Sequence, residues 1–185
     1  MVTEAKFKHA LKEMMAEMPL EDINVTSLCK RCDCHRQTFY YHFQDIYDLI
    51  AAIFLNESMR LLDKAKSAKE SIKALLNYVK ENFAFLRSTY NSAARDLTDD
   101  FLFGKINAKL LSLWGKDETL DLKIEGKRSV ARRFAHFVAD EFGYCFKDPK
   151  LTPEKFSRRM SKFADSAVTI ILPELFALSK KEEAK

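Results

Sequence analysis

Apolar side chains return every three or four positions along almost the whole chain, beginning with Phe7, Ala10, Leu11, Met14, Met15 and Met18. That interval matches the turn of a helix and does not fit the two-residue alternation of a half-buried strand. Only four glycines and four prolines interrupt 185 residues, far fewer than a turn-rich all-β chain uses, whereas Lys, Glu, Leu, Ala and Phe abound. The fold class is therefore all-α.

The punctuation divides the chain into short and long helices. Pro19 closes the first, and Asn24 caps a second whose inward stripe is Val25, Leu28, Cys29 and Cys32, barely two turns long. "DCH" breaks the pattern, "RQTFYYH" makes a third short helix, and Asp45 with Asp48 starts a fourth that runs to about Ala65. Beyond it, one amphipathic run spans Ile72 to Tyr90, and "FLFGKINAKLLSLWG" forms another between Gly104 and Gly115. "KDETLDLKIE" reads as an exposed loop. Two long patterns follow, "RSVARRFAHFVADEFGYCFK" and "TPEKFSRRMSKFADSAVTIILPELFAL", the second capped by Thr152 with Pro153 at its first position. Pro173 is expected to kink or end that last helix, and "SKKEEAK" to fray.

Two unequal parts follow from this: a three-helix head over residues 1–44 and a larger helical body over 45–185. No basic and apolar leader opens the sequence, and the longest apolar runs, "AAIFL" and "AVTIIL", fall far short of the roughly 18 residues of a membrane span. The expectation is a cytoplasmic protein with no membrane partner. The net charge of +4 is unevenly placed. Residues 1–50 hold six Lys/Arg against eight Asp/Glu, while 123–160 hold ten against five. In the head, only Lys30, Arg31 and Arg36 against Asp33 make a local basic face.

Two short helices joined by a tight turn bury little alone and need a preceding helix to cover their inner faces, which is the logic of a helix-turn-helix. On the third helix Phe39 and Phe43 are four apart and point inward with Cys34. His35, Arg36, Gln37, Thr38, Tyr40, Tyr41 and His42 are left for solvent or a partner. Arginine and glutamine make paired hydrogen bonds to guanine and adenine edges, and hydroxyls and imidazoles suit phosphate oxygens.

From about Ile23 to Ile50 the sequence "VTSLCKRCDCHRQTFYYHFQDIYDLI" resembles the DNA-binding head of the TetR family of bacterial transcriptional regulators. It has that family's helix two, turn, "T-[FL]-Y-x-[HY]-F" pattern and acidic start to helix four. "YYHFQDIYDLI" is also similar to the branch associated with dihydroxyacetone kinase regulation. The resemblance implies a ligand-responsive regulator, in this family usually a repressor, binding a palindromic double-stranded operator as a homodimer. By position it implies Thr26, Arg36 and Gln37 as base readers and Thr38, Tyr40, Tyr41 and His42 as backbone holders, with Ser27 and His35 in the same contact set. Three positions depart from the pattern: Asp33 stands where glycine is usual, Cys34 where valine is, and His35 where a small polar residue is. Aspartate tolerates a left-handed turn, so the fold is expected to survive.

The same resemblance implies a small-molecule effector between body helices. Tyr78, Phe83, Tyr90, Trp114 and His136 are candidates to line its site, each with a plain alternative as core. Val130, Arg132, Arg133, Phe134, Phe137 and Val138, with Phe163, Ala167, Ile170, Ile171 and Leu175, are expected to form a four-helix dimer interface. No cofactor and no metal is called for. Cys29, Cys32, Cys34 and His35 almost spell a zinc site, but two of the cysteines lie on the inward stripe and no second pair follows. A helical adaptor, or a thiol or metal sensor built on Cys29, Cys32 and Cys34, is the alternative. An enzyme is not expected. Phosphate-loop, nucleophile-elbow and zincin motifs are absent, and the four histidines are not expected to pair with carboxylates at helical spacing, His136 with Asp140 coming closest.

Overall fold

The structure, a computed structural model of the chain, describes residues 3–115 and 117–184. Its elements are α1 (Glu4–Glu17), a 3₁₀ turn (Leu20–Asp22), α2 (Val25–Arg31), α3 (Arg36–Tyr40), α4 (Ile46–Asn56), α5 (Arg60–Lys64), α6 (Ala68–Glu81), α7 (Phe83–Tyr90), α8 (Arg95–Trp114), α9 (Ile124–Phe146), α10 (Pro153–Ser166), a π turn (Ala167–Ile171) and α11 (Leu172–Glu183). No strand occurs among the described residues, and no helix among them is long and apolar enough to cross a membrane.

Two compact units emerge, Met1–Ser58 with Asn82–Thr98 and Met59–Glu81 with Asp99–Lys185. In the first, α1 packs against α2, α4 and α7. Phe7, Leu11, Leu28, Phe39, Leu49 and Ile50 are fully buried there. Lys12 of α1 ties the unit together: its Nζ donates to Glu57 Oε2 at 3.0 Å and to Asn82 Oδ1 at 3.2 Å.

In the second unit α6 packs on α5 and α10, and α9 packs on α11. Phe142 and Phe146 of α9 close on Phe156 of α10, with ring centroids 5.9 and 6.1 Å apart. Gly126 lets α11 come close, since a Cβ there would sit 3.0 Å from Ser179 Oγ and collide with the Glu183 carboxylate. Glu183 in turn accepts from the Lys123 backbone N–H at 3.1 Å.

Several sequence expectations are corrected by contacts distant in the chain. Helix four does not reach Ala65: α4 stops at Asn56, Glu57 turns extended (ψ 116°) with its carboxylate on Lys12, and α5 starts after the buried Met59. The run from Ile72 to Tyr90 is two helices broken at Asn82, the residue that accepts from Lys12. The helix placed between Gly104 and Gly115 begins at Arg95, and Gly104 lies inside it with open space where a side chain would go. The loop "KDETLDLKIE" is shorter than expected, because Ile124 and Glu125 already belong to α9; its Lys116 lies outside the described residues.

The tail is not frayed either. Ser179 is buried, Lys180 reaches Asp121 at 3.2 Å and Glu182 pairs with Arg133 at 3.0 Å, so α11 holds to Glu183; Lys185 is outside the described residues. Pro173 does not end the last helix. The backbone widens into the π turn just before it, and such a bulge absorbs the missing N–H and the ring clash with the preceding turn. The interface list also changes: Val130, Phe134, Val138 and Ala167 are at most 1% exposed and belong to the second unit's own core. Phe137 and Ile170 remain open, at 39% and 59% exposure, with Phe163, Ile171 and Leu175 half-buried.

Candidate nucleic-acid interface

α2 is seven residues long and survives because both of its ends are closed. At its start the Asn24 side chain accepts from the Ser27 N–H at 2.9 Å, while Ser27 Oγ accepts from the Asn24 N–H at 3.1 Å, a reciprocal capping box. Ser27 Oγ also donates to the Asn24 carbonyl at 2.8 Å, so this hydroxyl is engaged within the cap. At its end, Asp33 N–H donates to the Lys30 carbonyl at 3.2 Å and Cys34 N–H to the Cys29 carbonyl at 3.0 Å. This is a Schellman stop, with Asp33 at φ 50° in the position usually given to glycine. Asp33→Gly is therefore expected to stabilise the head by up to about 1 kcal/mol by removing the Cβ penalty of the left-handed backbone. Chemical denaturation measures this, and a loss on substitution would contradict it.

α3 follows at once. Phe39 packs edge-on against Phe7 of α1 (5.4 Å, 88°) and beside Phe43 (5.6 Å), and all three rings are buried. This cluster orients the opposite side of α3 outward: His35, Arg36 and Gln37 are exposed, Tyr40 is 49% exposed and Tyr41 86%. Arg36 Nη2 donates to Tyr40 Oη at 3.1 Å, with the guanidinium 5.7 Å from that ring. The two side chains thus hold each other one turn apart. Thr26 is exposed on the first turn of α2, and Thr38 is half-buried. His42 is half-buried as well, with its ring 6.2 Å from Phe7 and Nδ1 3.8 Å from the Glu4 carboxylate. Asp45 caps α4 by accepting from Asp48 N–H at 2.8 Å, which sets the corner after α3. Tyr47, 46% exposed on the first turn of α4, lies outside the expected set. The inward period of Ile46, Leu49, Ile50 and Ile53 already turns it outward.

The electrostatics are narrower than the sequence indicates. Arg31, one of three cations on the local basic face, is bonded to Glu17 at 2.7 Å and lies 3.8 Å from Glu13. Its guanidinium holds the Glu17 carboxyl below the ordinary carboxylate range. Lys30 and Arg36 carry what remains of that face. One histidine reading is corrected: His9 stands 3.2 Å from Glu13, at helical spacing on the exposed side of α1, so this histidine does pair with a carboxylate.

The cysteines divide by burial. Cys29 and Cys32 are buried, whereas Cys34, expected to point inward with Phe39, is only half-buried because it follows the left-handed residue that ends α2. Burial first, and the Cys34 thiol second, push the Cys29 thiol up to about 11, and burial raises Cys32 as well. Among the described residues no group of three or more His, Cys, Asp or Glu side chains is arranged to hold a metal ion.

The effector candidates fall in different places. Phe83 and Tyr90 are buried in the first unit, where Arg95 lies 4.5 Å over the Tyr90 ring. In the second unit Tyr78 is buried beside Phe101 (5.6 Å), Trp114 is buried edge-on to Phe176 (5.1 Å), and His136 is exposed and stacked on Phe103 at 4.1 Å.

An all-helical chain that opens with this helix-turn-helix has the fold of the TetR-like regulators. The solved structure of a dihydroxyacetone kinase operon activator, DhaS, matches it with a TM-score of 0.67 and 20% sequence identity, over 94% of this chain and 96% of that one. No protein-family model matches the chain, and no curated protein matches it in sequence.

Proposed function

We propose that this chain is a DNA-binding transcriptional regulator that acts as a homodimer and responds to a small effector. The observation that carries the reading is the outward face of α3, where His35, Arg36, Gln37, Tyr40 and Tyr41 stand clear of an aromatic core that fixes their direction. In a helix-turn-helix the N-terminal residues of the second helix meet base edges in the major groove. Arg36 and Gln37 hold those positions, with Thr26 on the first turn of α2. Tyr40, Tyr41, Thr38 and His42 are the backbone holders, whose contacts fix register without reading sequence.

The functional head ends at about residue 44, and the body from 45 to 185 carries dimerisation and effector binding. Two heads occupy successive major grooves when their recognition helices stand about 34 Å apart, and an effector that favours another separation weakens binding. The shared fold with a protein named as an operon activator supports the regulator class. Repression is the usual outcome in the family the head resembles, and a promoter fused to a reporter, with and without the protein, decides the sign.

The test begins with selection of duplexes from a random library, followed by binding to single-base variants of the selected site at fixed salt. Arg36→Ala is expected to lose roughly 1–3 kcal/mol on the selected site and to relax preference at one base pair. Tyr41→Phe is expected to weaken all duplexes alike, because a phosphate contact carries no base information. Equal losses across the panel for Arg36→Ala would make it a phosphate anchor and move the reading to Thr26 and Gln37. Selection that enriches no duplex, or binding indifferent to salt, would sink the DNA-binding reading itself.

A further inference from the structure

We infer that Cys29 and Cys34 form a peroxide-driven disulfide site at the turn of the helix-turn-helix, and that closing it loosens the head's grip on DNA. The second half of this rests on the DNA-binding reading above; the first half does not.

The geometry comes from the stop signal of α2. In a Schellman motif the residue two past the cap meets the residue three from the end, commonly as an apolar contact. Here both of those residues are cysteines. Cys34 N–H bonds the Cys29 carbonyl at 3.0 Å, which holds the two residues side by side at the turn, and the Cys34 thiol is near enough to raise that of Cys29. Disulfides need close Cα atoms and convergent side chains, and a backbone ring closed between the two residues supplies that proximity. Cys32 is turned elsewhere: it is fully buried and its thiol faces the Lys6 carbonyl at 3.9 Å. Cys34, in contrast, is only half-buried and stands at the turn beside the buried Cys29.

The roles follow from exposure. Cys34 is the thiol that a solvent-borne oxidant reaches, and Cys29 resolves it from beneath. A peroxide, ROOH, transfers one oxygen to the Cys34 sulfur, giving a sulfenic acid and ROH. The Cys29 sulfur then attacks the Cys34 sulfur, the S–O bond breaks, and water leaves with the Cys29 proton. Two thiols have lost two electrons to the peroxide, and a dithiol reductant returns them. The raised thiol pKa of Cys29 makes the resolving step slow at neutral pH and faster as pH rises.

The bond would join the last turn of α2 to the residue just before the N-cap of α3. His35 and Arg36 follow Cys34 directly, and Asp33 between the joined residues already sits in left-handed backbone. A pull at this turn therefore bears directly on the base-reading end of α3.

The experiment treats the full-length protein with hydrogen peroxide, labels remaining thiols after denaturation, and maps the tryptic peptides. The expected result is a fall from four labelled cysteines to two, with the peptide ending at Lys30 linked to Cys32–Arg36 through Cys34. Affinity for a duplex selected by the reduced protein is expected to fall about tenfold or more and to recover with dithiothreitol. Cys34→Ser, a half-exposed change, should keep four minus one labels after peroxide and the affinity of the reduced protein. Linkage through Cys32 instead of Cys34, oxidation of Cys34 without linkage, or retention of all four labels would overturn the site. Linkage with unchanged affinity would overturn its effect on DNA. If the reduced protein selects no duplex, the regulator reading falls, and the peptide map still decides whether the disulfide forms.

Discussion

Phe39→Ala is expected to destabilise the N-terminal helices by about 3–5 kcal/mol, the usual cost of removing a buried phenyl ring. The ring is fully buried and lies against Phe7, Tyr40 and Phe43, so its loss removes three aromatic contacts as well as apolar area. A three-helix head with helices of seven and five residues has little else to hold α3 in place. Against typical domain stabilities of about 5–15 kcal/mol, that loss should unfold the head or leave α3 fraying at room temperature. Urea titration followed by circular dichroism, with hydrogen exchange resolved along the chain, measures it. A loss under about 1 kcal/mol would mean that the neighbours close over the cavity and that the cluster does not set the direction of α3.

Charges at the open apolar positions of α9 and of the π turn after α10 should separate the proposed dimer. Phe137 is 39% exposed and lies against Phe163 (5.2 Å), and Ile170 is 59% exposed. In a two-fold interface each substitution acts twice, so Phe137→Glu with Ile170→Glu removes four apolar side chains. Full burial is worth about 1.5–3 kcal/mol each. At half that value, for groups already partly covered, association weakens by two to four orders of magnitude, roughly 3–6 kcal/mol. Sedimentation at micromolar concentration should show the wild type as a dimer and the double variant as a folded monomer. A wild type that sediments as a monomer would remove the head-spacing mechanism with it, and a double variant that remains a dimer would place the interface elsewhere.

Part of the candidate site is legible in the sequence because neighbours close it. The four-residue spacing of Phe39 and Phe43 puts Arg36, Gln37, Tyr40 and Tyr41 on the other side of α3, and that is where they stand. The charges around them are not legible in this way. Arg31 counts as part of a basic face until α1 brings Glu17 to within 2.7 Å of it. Nor does any pattern of residue types announce that Cys34 meets Cys29. That contact follows from Asp33 taking the left-handed position that ends α2, which brings the two residues together.

The sequence by itself determined the features whose atoms lie within a turn of one another: the Asn24 cap, the Asp45 cap and the Thr152 cap with Pro153. Each is closed by a hydrogen bond or a backbone preference spanning a few residues, so the residue types at that spacing suffice. Tertiary structure alone decided where long amphipathic runs break and which apolar residues stay uncovered. Lys12 meets the chain at Glu57 and Asn82, where two runs end, and Glu182 and Glu183 hold the tail to Arg133 and Lys123. On α9, apolar Val130, Phe134 and Phe137 look alike in sequence. Only the packing of neighbouring helices makes the first two core and leaves the third open, because burial is a property of the neighbours and a residue's hydrophobicity does not name them.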